Sequence, residues 1–228
     1  MKHKRPAIVG LATLLCSLAS FSQGGDAAAR PPVDSAGAVV RGTHVVPASI
    51  NSTLPLFNIT VEADSAWGEI GSLRVTRKGD DRAEQSLLND TLMPADPAYS
   101  ITEALLIEDI NFDGYKDIRL LDSRGSGGRH YFVWLFDARA DSFVYSSDMS
   151  GLWSLHPDPG TKTIQSSYRE GEKFSLWQTY GFRGAGLLLL RSESWEWNDS
   201  TGQGWRTVRI RRNGVMEDSM KEAMTGPH

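Results

Sequence analysis

One cysteine stands in the whole 228-residue chain, so no disulfide can form within a single molecule. It is Cys16, in the opening segment, and nothing after residue 22 carries a thiol. An exported chain without such staples must draw its rigidity from its core or from a metal. No run after the opening segment approaches the roughly 20 apolar residues of a membrane-spanning helix. Zinc spacing is missing as well: His44, His130 and His156 are scattered, without cysteine or carboxylate partners at metal-ligand intervals. Positive charge is in deficit, with 24 Lys and Arg against 28 Asp and Glu and a formal charge of −4. That balance argues against nucleic acid as a partner.

Two enzyme-like spellings fail on geometry. The glycines of "GFRGAG", residues 181–186, are in the wrong order for a dinucleotide loop and open a strand rather than a helix. Glu193 and Glu196 of "SESWEW" would project to opposite faces of a strand, so they cannot share work on one glycosidic bond. The expectation is a protein that is not an enzyme.

The first 22 residues read as a secretory signal peptide. "MKHKRP" is a basic head, and "AIVGLATLLCSLASF" is an apolar stretch too short to span a bilayer comfortably. Cleavage sites with small residues lie after Ala19, Ser22 or Ala29. A lipid anchor on Cys16 is disfavoured, because Leu15 stands where such sites want a small residue. Export to a bacterial periplasm follows. Loss of Lys2, Lys4 and Arg5 leaves 21 basic against 28 acidic side chains, a formal charge of −7 that suits a basic partner. Residues 23–49 are assigned to a flexible leader, from the small, polar, proline-bearing "QGGDAAARPPVDSAG" at 23–37.

The main body, residues 50–214, is written in strand-and-turn language. Short runs of Val, Ile, Leu, Thr and aromatics alternate with Gly, Asp, Asn and Pro. Strands are expected near 55–62, 68–77, 83–89, 101–108, 117–122, 130–137, 141–146, 151–156, 162–169, 173–181, 186–197 and 204–212. Alternation is clearest at Leu73 and Val75, and around Trp205, Thr207, Val208 and Ile210. Hairpin spacing without intervening helices implies an all-β fold, an antiparallel β-sandwich or partly open barrel. Trp67, Trp134, Trp153, Trp177 and Trp195 sit in apolar or alternating runs and are assigned to the core. Only the tail, 215–228, shows helix spacing, through Met216, Met220 and Met224, with Glu217 four residues before Lys221. The chain is expected to be a monomer.

Within "ALLIEDINFDGYKDIRLL", residues 104–121, oxygen-bearing side chains recur at Asp109, Asn111, Asp113 and Asp117, with Gly114 in between. Alternating side-chain oxygens, a glycine that permits a sharp turn, and a backbone carbonyl at Tyr115 are what a hard cation demands. Calcium, Ca2+, would relieve the mutual repulsion of the carboxylates; magnesium prefers fewer protein oxygens. The twelfth position is Leu120 rather than a bidentate Glu, and the flanks are strands, so the element is a calcium-binding strand-loop-strand and not an EF-hand.

Next comes "SRGSGGRHYFVWLFD", residues 123–137, a permissive glycine loop running into an aromatic strand. Together with "EDINFDGYKDIRLL" and "LWSLHPDPGTKTIQSSYREG", it resembles a family of bacterial periplasmic immunity proteins. These protect against lysozyme-like peptidoglycan hydrolases delivered by rival type IV secretion systems, and are similar to periplasmic I-type lysozyme inhibitors. The resemblance covers roughly residues 100–172. It implies a calcium-binding β-domain whose protruding loop plugs the hydrolase cleft, with the cognate hydrolase as protein partner. Ser126, Gly127, Gly128, Arg129, His130 and Tyr131 would form or support that plug. The serine-to-tyrosine spacing is one residue longer than the SGxxY motif of the inhibitors, while Gly127 to Tyr131 keeps the spacing with glycine in place of serine. A calcium-dependent carbohydrate- or cell-surface-binding module is the rival reading; it would call for several acidic loops in repeat, and one is visible.

Overall fold

The computed structural model describes residues 40–63, 69–89, 91–94, 98, 100–184 and 186–225. The expected signal peptide with Cys16, most of the expected leader, and Trp67 lie outside the described residues. Among the described residues the fold is all-β, in three antiparallel sheets with no closed barrel.

The first sheet runs in order β1 (Gly42–Ala48), β2 (Phe57–Ala63), β3 (Ile70–Arg77) and β4 (Asp80–Ser86). Strand β1 falls inside the stretch assigned to a flexible leader, and this is a correction. β1 contains Pro47 and is an edge strand, the place in a sheet where a proline is tolerated. It pairs with β2 from Gly42 opposite Ala63 to Ala48 opposite Phe57.

A one-turn helix, α1 (Ile101–Ala104), replaces the first half of the strand expected at 101–108. "SITE" is a capping spelling: the Ser100 hydroxyl accepts the Glu103 N–H at 3.2 Å. The second sheet then runs β5 (Leu105–Glu108), β6 (Asp117–Gly125), β7 (Gly128–Asp137) and β8 (Ser142–Tyr145). Residues 117–121 of β6 are buried without alternation, which marks a strand covered on both faces. The first two sheets form a sandwich. Phe57 meets Phe136 and Phe143 edge-on at 6.0 and 6.3 Å, among Ile59, Val61, Leu73, Ile118, Leu120 and Val133. Gln85 imitates a strand residue across the gap, accepting from the Phe143 N–H and donating to its carbonyl.

A second short helix, α2 (Ser147–Ser150), capped by Ser146, occupies the region before the strand expected at 151–156, which appears instead as β9 (His156–Asp158). Then come β10 (Thr163–Glu170), β11 (Phe174–Arg183), β12 (Gly186–Asn198), β13 (Gln203–Arg212) and β14 (Val215–Thr225), forming a sheet in the order β14-β13-β12-β11-β10-β9. Tyr180, Phe182 and Leu187 attach it to the core, with Phe182 edge-on to Phe112 at 5.8 Å. Beyond that attachment the sheet is a single layer. Among the described side chains of β10–β14 only Ile164, Ser166 and Val208 are buried.

Strand β14 corrects the helical reading of the tail. A four-residue spacing fits a helix turn but is also twice the strand repeat: Met220 lies opposite Val208 and Met224 opposite Gly204. Pairing along β13 outweighs the weak propensity of one short terminal helix. The single layer also explains the tryptophans. Trp134 is buried as expected, but Trp177 is 48% exposed and Trp205 41% exposed, because among the described residues no second layer covers their strands. Trp195 is half-buried, packed edge-on against Trp177 at 6.4 Å and under the Arg206 guanidinium at 5.3 Å. No helix among the described residues is long and apolar enough to cross a membrane.

Candidate functional site

The acidic loop connects β5 to β6 and is folded by its own side chains. Asp109 accepts the N–H groups of Asp113 at 3.1 Å and Gly114 at 2.9 Å; Asp113 accepts that of Tyr115 at 2.9 Å. Asn111 accepts the Asp113 N–H through Oδ1 and donates from Nδ2 to the Asp113 carboxylate. Such side-chain-to-backbone bonds are the reason Asp and Asn favour turns. Positive φ values at Phe112 (61°) and Gly114 (90°) complete the reversal. Asn51 holds the loop from outside, donating to the Gly114 carbonyl at 2.8 Å, while the Lys116 N–H reaches the Ile50 carbonyl at 2.9 Å. The Tyr115 ring stacks on Phe136 at 5.4 Å.

Asp117 differs from the others. It has no exposure, and its carboxylate accepts three backbone N–H groups: Ile110 at 2.8 Å, Asn111 at 3.4 Å and Phe136 at 2.9 Å. Burial pushes its pKa up to about 7, and the Asp113 charge adds to the rise; the three N–H donors pull the other way and only partly offset it. A carboxylate has about four acceptor directions, so three N–H bonds leave room for one more. Asp117 is thus a brace joining the loop to β7 before it is anything else.

The donor chemistry suits a hard cation. Asp109, Asn111 and Asp113 supply side-chain oxygens within one tight turn, and Tyr115 a carbonyl. Among the described residues no three His, Cys, Asp or Glu side chains stand close enough to hold a metal by themselves. A cation here would depend on the Asn111 amide oxygen and on backbone carbonyls.

The glycine loop is the tip of the β6–β7 hairpin. Gly125 pairs with Gly128, so the turn consists of Ser126 and Gly127 alone, and Gly128 takes φ of 124°. It does not project freely. The Arg169 N–H bonds the Gly127 carbonyl at 3.3 Å, and a Cβ on Gly127 would stand 2.9 Å from the Tyr168 ring. The Ser154 N–H bonds the Arg129 carbonyl at 2.6 Å. Ser126 and Arg129 are exposed, His130 is half-buried, and Tyr131 is 5% exposed beneath the Arg119 guanidinium at 5.0 Å. Strand alternation settles the tyrosine: it shares the inward face with Val133. His130 Nδ1 lies 2.9 Å from Asp122 Oδ2, with its ring 5.3 Å from Trp153. Glu103 links the hairpin's arginines, accepting from Arg124 at 2.9 Å and Arg129 at 3.4 Å. Trp153, Tyr168 and Glu103 were not among the expected site residues.

The acidic loop and the glycine turn occupy opposite ends of β6. Eight strand steps, about 26 Å, separate Asp117 from Gly125. The loop therefore does not stand beside the finger, and any bracing of one by the other is carried by the strand.

No protein-family model and no curated protein matches the chain. A solved fold does. The structure of a Xanthomonas type IV secretion system related protein is similar, with a TM-score of 0.52, 18% sequence identity, 79% of this chain covered and 100% of that one. At this identity the likeness speaks for the fold: the same arrangement of strands is used by a protein related to a type IV secretion system.

Proposed function

We propose that this chain is a periplasmic immunity protein, exported by its signal peptide, that is not an enzyme and blocks a lysozyme-like peptidoglycan hydrolase. The observation that carries the reading is the β6–β7 tip, a two-residue Ser126–Gly127 turn held at its base by Ser154 and Arg169. A turn already fixed in place pays little ordering entropy on entering a groove. The likeness to a type IV secretion system related fold, and the resemblance of residues 100–172, support the same reading. Ser126, the exposed Arg129 and the peptide N–H groups of the turn would donate to carboxylates in a hydrolase cleft; His130 and Tyr131 support the turn from below.

Calcium belongs to this proposal as a fold-stabilising ion. Asp109, Asn111, Asp113 and the Tyr115 carbonyl would hold it, with Asp117 anchoring the loop. Purified protein from residue 23 onward should stop cell-wall lysis by its cognate hydrolase at near-stoichiometric amounts. Saturating additions that leave lysis untouched, together with binding on a glycan array, would replace the reading with a carbohydrate-binding module.

Chelation should lower the melting temperature by roughly 5–10 °C, the effect of losing an ion present at about 100 times its dissociation constant from a domain of this size. An identical melt with and without chelator would remove calcium from the account.

A further inference from the structure

The tip of the β6–β7 hairpin shares its end of the molecule with a second hairpin, β10–β11, and the two form one surface. The Tyr168 ring covers Gly127 on one side and lies 5.6 Å from Trp153 on the other. Between them is a depression of about 290 Å³, lined by Ser126, Gly127, Trp153, Tyr168, Arg169 and Gly171. Around it stand Arg124, Arg129 and Arg169 against the two acids Glu170 and Glu103, a small local excess of cations on a chain of formal charge −4. Glu103 joins the first two. Arg169 is exposed, with its Nε bonded to the Gly171 carbonyl at 3.0 Å, which holds the head of the side chain at the rim. Tyr131, by contrast, lies under Arg119 and offers a partner almost no surface.

We infer that recognition is made by this two-hairpin surface, with Tyr168 and Arg169 as specificity-determining residues beside the Ser126–Gly127 turn, and that it fits a carboxylate-bearing groove on a protein. The inference rests on the inhibitor reading and adds the residues and partner chemistry to it. A half-exposed tyrosine beside an exposed arginine is the composition of an interface hot spot, and guanidinium with hydroxyl is the donor set that carboxylates accept. The wide, shallow form of the surface also matters. A lone two-residue turn buries too little area to hold a protein, whereas two hairpins with Trp153 between them present a broader face.

The test uses the full mature chain against a panel of purified c-type, g-type and i-type lysozymes in a cell-wall lysis assay. Arg169→Glu should weaken inhibition about 30-fold or more, the scale of one hot-spot side chain, with no change in melting temperature, because the side chain is exposed. Tyr168→Ser should weaken it about 10-fold or more. Trp205→Ser, an exposed tryptophan on β13, should leave it within about threefold. If the unaltered chain inhibits and both Arg169→Glu and Tyr168→Ser still inhibit within about threefold, the two-hairpin surface is wrong and the inhibitor reading survives. If the unaltered chain inhibits neither its cognate hydrolase nor any lysozyme of the panel, the inhibitor reading falls and this inference falls with it.

Discussion

Asp117→Ala is expected to destabilise the fold by about 3–5 kcal/mol, read as a lower midpoint in denaturant at unchanged slope. The substitution strands the buried N–H groups of Ile110 and Phe136 and removes the acceptor of the half-buried Asn111 N–H. It also uncouples the acidic loop from β7. A loss below about 1 kcal/mol would mean that water replaces the carboxylate, contrary to its complete burial. The same residue predicts a pH dependence. In the native state Asp117 keeps its proton up to about 7, while the unfolded carboxyl releases it near 3.8. Between those values the folded chain binds more protons than the unfolded one, so stability falls as pH rises from about 4 to about 7. The span is at most about 4 kcal/mol, and calcium in the adjacent loop would diminish it by favouring the ionised form. Asp117→Ala should flatten this segment of the stability profile. A parent curve already flat between these pH values in chelator would contradict the proton retention.

Gly128→Ala should be the second severe change, costing about 2–4 kcal/mol. Two independent faults coincide. The backbone sits at φ of 124°, which L side chains rarely adopt, and a Cβ there would overlap the Ser154 hydroxyl. Combining it with Ser154→Gly should recover part of the loss, since that removes the overlap and leaves the backbone strain. Gly125, its partner across the turn, has ordinary φ and open space around its Cβ position, so Gly125→Ala should cost less than about 1 kcal/mol. Thermal melts of the three variants separate the outcomes; equal effects at the two glycines would refute the argument from local geometry. Loss of inhibition should follow loss of turn position, with Gly128→Ala the weaker inhibitor.

Much of the sandwich was legible because its signals are local. Leu73 and Val75 alternate in a half-covered strand and are buried, and the oxygen spacing from Asp109 to Asp117 does describe one tight loop. What escaped depends on position in the sheet. Residues 42–48 read as leader until β2 is known to pair along them, and Met220 and Met224 read as helical until β13 lies beside them. The candidate site shows the same division. Alternation from Val133 back to Tyr131 already turns the tyrosine inward, yet a motif spacing invites the opposite reading. Tyr168 reaches the glycine turn from 41 positions further along the chain, a contact no local pattern encodes. Nor does a count of residues between Asp117 and Gly125 show that an extended strand carries them to opposite ends.

The six-stranded sheet outgrows the layer that supports it. Its outer strands, β13 and β14, are held by ladder bonds and by cross-strand ion pairs such as Arg206–Glu222 and Arg209–Asp218, with little apolar area hidden from water. Exposed pairs of this kind contribute less than about 1 kcal/mol each. That margin can therefore peel away and re-form at a free-energy cost well below that of global unfolding. The end that carries the Ser126–Gly127 turn, anchored through Ser154, Trp153 and the sandwich, keeps its shape while it does so.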